Sequence, residues 1–259
     1  MNTLVLMKMV PDIVEELEVG PDGKSLDLES LRLIVSERDD HALEQALLLK
    51  ERRGGSITTM AIESPDIDDV LFTALAKGSD RAVKVAGAAS PLATSEAAAL
   101  LARILPDVPN LMPVDLILTG CQAIDDLDGL LAPCLAERLR IPYLGIVTGI
   151  DVDTEAGRAT VLKEYAGGVR GEYAVSLPAV LGIQAAEKPP RYVPVAKVRA
   201  TMKSRTIDTV PAPARDETSQ LEILQMTKPE ATGRAEMLEG SPEEVASKVA
   251  DMLSARGLV

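Results

Sequence analysis

Three carboxylates crowd one short loop of this chain: Asp125, Asp126 and Asp128, within Gly120-Cys121-Gln122-Ala123-Ile124-Asp125-Asp126-Leu127-Asp128-Gly129. An apolar run rich in β-formers, Asp115 to Thr119, precedes the loop, and a helical pattern, Leu130 to Leu139, follows it. A strand, a glycine turn and a helix in that order present free backbone N–H groups at the carboxyl edge of an open sheet, where nucleotides and other anions bind. Gly120, Gln122, Asp125, Asp128, Gly129, Leu130 and Leu131 are therefore the first candidates for a ligand site. The alternative is an ordinary strand–loop–helix connection with Asp128 as the helix cap. A divalent metal would need ligands from elsewhere, and carboxylates so placed more often cap helices or stay solvated, so no metal site is expected.

Other chemistry-bearing residues are sparse. His41, the single histidine, stands at a helix start beside Asp39 and Asp40 and reads as a solvated or capping residue, because no nucleophile is spaced to partner it. Cys121 reads as a small buried residue at a strand end. The chain contains no GxGxxG after its first strand, no GxxxxGKS or GxxxxGKT, no HExxH and no GxSxG. No acid–base or covalent set assembles, so a binder or carrier is expected rather than a stand-alone enzyme.

Composition narrows the partners. A formal charge of −13, from 27 basic and 40 acidic residues, argues against nucleic acid or an anionic membrane surface. Aromatic residues make up 2% of the chain, with no Trp, so a base-stacking surface is not expected. No apolar run reaches the roughly 18–20 residues of a membrane span. Met1 to Leu6 reads as a first strand rather than a leader, and two cysteines are too few for a disulfide framework. The expectation is a cytoplasmic protein.

The elements that must hold the acidic loop follow from periodicity. Residues 3–10 form a strand ending at Pro11-Asp12, and Gly20 to Lys24 is turn chemistry. Asp40 to Arg53 is a helix with Ala42, Leu43, Ala46, Leu47 and Leu49 on one face and Asp39 or Asp40 as its cap. Ser56 to Ile62 is a strand, Asp68 to Lys77 a helix, Ala82 to Val85 a strand and Thr94 to Leu105 a helix. Such alternation means βαβ units and a parallel sheet. After Pro142, Leu144 to Val152, Arg158 to Tyr165 and Tyr173 to Leu177 alternate as partly hairpin-paired strands, and Ala179 to Ile183 is a last core strand. The reading is a three-layer α/β/α domain over residues 1–184, with a mainly parallel, Rossmann-like sheet and added antiparallel strands.

Residues 185–259 differ. Pro189, Pro190, Pro194, Pro211 and Pro213 punctuate a segment carrying Lys197, Arg199, Lys203 and Arg205. It is expected to be an extended arm lying on its own domain or on a partner. The arm ends in a helix announced by Ser241-Pro242-Glu243-Glu244, a capping box with Pro at its first turn, and Val245, Val249, Met252 and Leu253 give that helix an apolar face.

Several segments, taken in order, resemble the electron transfer flavoprotein β-subunit (FixA) family. Lys8-Met9-Val10-Pro11-Asp12 resembles the family's K-x-V-P-D, and Ala42 to Glu51 its A-L-E-E-A-L-x-L-K-E helix. Thr73 to Ala82 is similar to T-A-L-A-M-G-A-D-R-A, and Gly120 to Asp126 to G-x-Q-A-I-D-D. Pro178-Ala179-Val180 and Pro190-Arg191-Tyr192 follow at the family's spacing. The resemblance implies an adenine-nucleotide-binding type of domain and an α-subunit partner that carries the redox-active FAD. It implies a crevice for AMP or, in bifurcating members, a second FAD, and an arm packed on the partner. A dehydrogenase would donate electrons, and an acceptor such as a quinone reductase would take them. A non-redox nucleotide-binding regulator of similar fold is the rival of another class. By the same resemblance, the Val10–Val14 stretch with Ile13 completes the partner's FAD site, while Met9, Ser36, Ile62 and Glu63 stand around the nucleotide.

The departures from the family concern the same site. AMP-binding members continue D-D-x-N-Q-T-G, with three side-chain donors for the phosphate, whereas this chain has Leu127-Asp128-Gly129-Leu130-Leu131-Ala132. A carboxylate repels a phosphate where a donor would hold it. The family's Asn-Pro before the first helix is Ser36-Glu37, and its dehydrogenase-docking leucine aligns with Glu187. The signature around Lys163 is partial, with Ala166 where an acidic residue is expected, and Gly182 ends the P-A-V-L run.

Overall fold

The computed structural model describes residues 1–28, 31–88, 92–213, 223–229 and 235–258. The chain opens with β1 (Asn2–Leu6), β2 (Met9–Pro11) and β3 (Leu33–Val35), followed by α1 (Glu37–Arg53) and β4 (Ser56–Ile62). Next come α2 (Ile67–Lys77), β5 (Arg81–Ala86), α3 (Thr94–Ile104), β6 (Leu116–Gly120) and α4 (Leu131–Leu139). β7 (Tyr143–Asp153), β8 (Arg158–Glu164), β9 (Arg170–Ser176) and β10 (Ala179–Ile183) complete the body, and the arm contributes α5 (Val195–Ser204), β11 (Asp208–Pro211) and α6 (Pro242–Ala255).

Nine strands form one sheet in the order β11-β5-β4-β1-β6-β10-β7-β8-β9. Pairing is parallel from β11 through β7 and antiparallel for β7-β8-β9. Alternate side chains of the central strands face opposite helix layers. Val5, Leu116 and Leu118 pack with Leu43, Ala46 and Leu47 of α1. Leu4, Leu6 and Ile117 pack with Leu101 of α3 and Leu135 of α4. With both faces covered, these strands are apolar throughout, as a buried parallel sheet requires. This is the expected three-layer architecture.

Three boundaries differ from the sequence reading for physical reasons. The first strand stops at Leu6 because the backbone of Lys8 is diverted: its N–H bonds to Asp39 Oδ2 at 3.0 Å, and its C=O accepts from the Ser36 N–H at 3.0 Å. Met9 to Pro11 then pairs antiparallel with β3, outside the main sheet. Helix α1 begins at Glu37, with Ser36 as its N-cap residue, so neither Asp39 nor Asp40 caps it. The arm also adds β11 to the sheet edge, where Asp208 pairs with Val83 and meets Arg81 Nε at 2.7 Å.

Farther along the arm, residues 223–229 touch the loop after β2, with the Met226 N–H on the Gly23 carbonyl at 2.8 Å and Lys228 Nζ 2.8 Å from both Glu16 and Glu18. The capping box of α6 forms as its residues specify: the Glu244 N–H donates to Ser241 Oγ at 3.3 Å and the Ser241 N–H to Glu244 Oε2 at 2.8 Å. Among the described residues, no helix is long and apolar enough to cross a membrane.

Candidate functional site

The chain leaves β1 toward β4 on one side and later returns to β6 on the other, so the carboxyl ends of β1 and β6 mark a topological switch point. A crevice of about 210 Å³ opens there. Met7, Met9, Met60, Ile62, Leu101 and Leu131 give it apolar walls, and Lys8, Asp39, Glu63, Ser64 and Asp125 are its polar groups.

Two clasps shape it. Lys8 Nζ meets Asp125 Oδ1 at 2.8 Å and Asp126 Oδ2 at 3.1 Å, so one ammonium holds two carboxylates of the acidic loop. Burial works to lower the Lys8 pKa, but the hydrogen bonds and charges of Asp125 and Asp126 leave it raised. Asp126 also accepts from the Ala123 N–H at 3.3 Å. The second clasp is Asp39, whose Oδ1 takes the Gly120 N–H at 2.7 Å and whose Oδ2 takes the Lys8 N–H. Only glycine admits this approach, because a Cβ on Gly120 would lie 2.6 Å from Arg38 Cβ and 2.7 Å from Asp39 Oδ1.

At the phosphate end of such a crevice, the free N–H groups of the following helix are the usual anion donors. Here α4 starts at Leu131, and Asp128 Oδ1 already accepts the Leu130 N–H at 2.8 Å. Pro133, in the first turn, has no N–H. Gly129 turns the chain at φ +61°, a conformation that favours glycine, and a Cβ there would lie a tight 3.0 Å from the Cys121 carbonyl. Apolar walls suit a flat ring, but an anionic phosphate would meet a carboxylate where its donors should be. The volume also lies below the roughly 300–1,000 Å³ usual for a ligand pocket.

Of the residues singled out from sequence, Met9, Ile62, Glu63, Asp125 and Leu131 line the crevice together. Asp128 and Gly129 form its loop, and Gly120 is buried behind it. Ser36 is buried at the start of α1, Gln122 is exposed, and Ile13 is 58% exposed on the loop past β2. Leu130 turns toward the groove between α3 and α4. Cys121 is buried as expected and donates to Gln184 Oε1 at 2.9 Å. His41 is half-buried and does not cap α1: its Nδ1 accepts the Ala186 N–H at 3.2 Å, which ties the helix to the start of the arm. Lys8 and Asp39 were missed as site residues. Lys8 stands in a motif noted for its family pattern alone, and Asp39 looks from sequence like one more acidic residue in a first helical turn.

Residues 26–215 match the family model of the electron transfer flavoprotein domain. The chain is 31% identical to the electron transfer flavoprotein subunit beta of Syntrophomonas wolfei, over 98% of this chain and 96% of that one. It is 28% identical to the subunit of the same name from Methylophilus methylotrophus, over 98% of each. It is also 27% identical, over the full length of both chains, to the Caffeyl-CoA reductase-Etf complex subunit CarD of Acetobacterium woodii. With its parallel sheet, its switch-point crevice and these relatives, the chain belongs to the electron transfer flavoprotein beta-subunit family.

Proposed function

We propose that this chain is the half of a two-chain electron carrier that holds no redox centre of its own. Its α-subunit partner carries FAD, a dehydrogenase supplies electrons and an acceptor such as a quinone reductase takes them. The observation that carries this reading is similarity to electron transfer flavoprotein beta subunits along essentially the whole chain. The Val10–Val14 stretch supports it, since Ile13 and Val14 are 58% and 91% exposed. Burying such side chains against a second chain is favourable by about 25 cal/mol per Å², and at that place they complete the partner's FAD site.

The crevice at β1 and β6 has become structural. AMP loses the family's side-chain phosphate donors there, and a second FAD meets the same obstacle at its pyrophosphate, because Asp128 takes the Leu130 N–H and brings a negative charge, and Pro133 has no N–H to offer. Glu187 stands where the family docks acyl-CoA dehydrogenases through a leucine. The electron donor is therefore a different dehydrogenase or oxidoreductase.

Co-expression with the α-type subunit, followed by size-exclusion chromatography with flavin absorbance, tests the reading. A yellow 1:1 complex is expected. A colourless homo-oligomer that binds AMP or ATP would overturn it in favour of a nucleotide-binding regulator.

A further inference from the structure

We propose that Asp39 is the positioning residue of the crevice: it ties the exit of β1 to the exit of β6 and thereby sets Lys8 against the acidic loop. The inference deepens the reading above, since it says what holds the beta subunit's crevice in shape when no nucleotide does. Asp39 is the third residue of α1, where a carboxylate ordinarily turns back to its own helix start. Here it reaches outward, and its two oxygens take the backbone N–H groups of Lys8 and Gly120, residues 112 positions apart in the chain. The Ser36 N–H, which a capping box would occupy, goes to the Lys8 carbonyl instead. Both backbone groups of Lys8 are thus fixed by the start of α1. Its ammonium, one side chain away, is delivered to Asp125 and Asp126.

The groups facing Asp39 are Lys8 from the β1 exit, Cys121 from the β6 exit and the Ser36 hydroxyl on its own helix. Arg38, its neighbour, is turned to the Gln184 carbonyl. Burial pushes the Asp39 carboxyl up to about 7, against the pull of the Gly120 and Lys8 N–H groups. An opening that breaks these ties and wets Asp39 returns the carboxyl to its ordinary value, so the tie is held most tightly at low pH and eases as pH rises toward 7. Global unfolding follows the same sign, because a folded-state value above the unfolded one gives stability that is present at low pH and lost as pH rises toward 7. An easing centred on the β1 and β6 exits is a signature that a merely space-filling residue does not give.

Hydrogen exchange on the full chain in its purified assembly, at pH 6 to 8 and corrected for intrinsic rates, reads this directly. Protection of residues 119–122 relative to the Ser56–Ile62 strand should fall about tenfold from pH 6 to pH 8, because the opened state is ionised throughout while the closed state holds its proton up to about 7. Asp39→Asn, which has no proton to lose and a single acceptor oxygen for the two N–H groups, should flatten that dependence and lower the protection of residues 119–122 at pH 6. A flat wild-type profile, or an unchanged slope in Asp39→Asn, would overturn the proposal. The wild-type series decides alone if the variant does not fold. No flavin is read, so failure of the electron-carrier reading gives a different result from failure of this one.

Discussion

The two halves of the segment beyond Gln184 treat the body of the protein in opposite ways. The near half is riveted to α1. Glu187 accepts from Gln45 Nε2 at 2.8 Å and pairs with Arg52 at 2.6 Å, while Arg191 joins Glu44 at 2.8 Å and Glu51 at 2.7 Å. The cover is close enough that Glu44 and Gln45, polar residues of a helix that would otherwise face water, are 3% and 0% exposed. The far half ends in α6, which buries none of its side chains and leaves Val249, Met252 and Leu253 about two-fifths exposed. Their spacing makes one helical stripe. The contrast teaches that polar pairing ties the near arm to α1, whereas α6 leaves its apolar stripe uncovered, a face that the heterodimer proposed above would bury.

The sharpest way to break the comparison is Arg191→Ala. It takes the guanidinium from Glu44, whose side chain is 4% exposed, and leaves that carboxylate only the backbone N–H of residue 191 at 3.0 Å, a loss of about 2 kcal/mol for hydrogen bonds to a charged group. Urea unfolding should show the loss as a lower midpoint. Glu187→Ala removes a half-buried acceptor from Gln45 and Arg52 and should cost about 1–2 kcal/mol in the same assay.

Acid sharpens the contrast without mutation. Burial works to raise Glu44, yet the hydrogen bonds and charge of Arg191 leave it below the usual carboxylate value, and the Arg52 hydrogen bond lowers Glu187. Depressed values mean stability that is present above roughly pH 4.3 and lost as pH falls through the folded-state values. The gap in stability between wild type and Arg191→Ala should therefore narrow from pH 6 toward pH 3.

The smallest effect on the chain itself belongs to Val249→Asp, within about 0.5 kcal/mol because the side chain is two-fifths exposed on a helix with no buried residue. In the heterodimer, however, it should reduce the recovery of the α subunit in a pull-down. Unchanged recovery would remove α6 from the interface.

Where residues carry their own signal, the fold was legible. Ser56–Ile62 and Ala179–Ile183 are apolar runs bounded by turn residues, and both strands end where the sequence pattern ends. Ser241 and Glu244 specify a local cap, and it forms. What escaped depends on distant groups. Asp208–Pro211 has no apolar period, and it is a strand because β5 offers an unpaired edge. Residues 3–10 read as one strand, but Asp39 and Ser36 pull Lys8 out of it from some thirty residues away. The acidic loop was found as a loop. That Lys8 neutralises two of its three carboxylates, from 117 and 118 positions away in the chain, is a property of the folded sheet and of no local pattern.

The central claim is a flavin-carrying pair whose beta crevice holds no nucleotide. The most direct measurement is to purify this chain with its α subunit, denature the complex and quantify FAD and AMP per heterodimer. One FAD and no AMP is the expected result. One FAD with one AMP, or two FAD, would contradict it by showing that the crevice takes a phosphate despite Asp128 and Pro133.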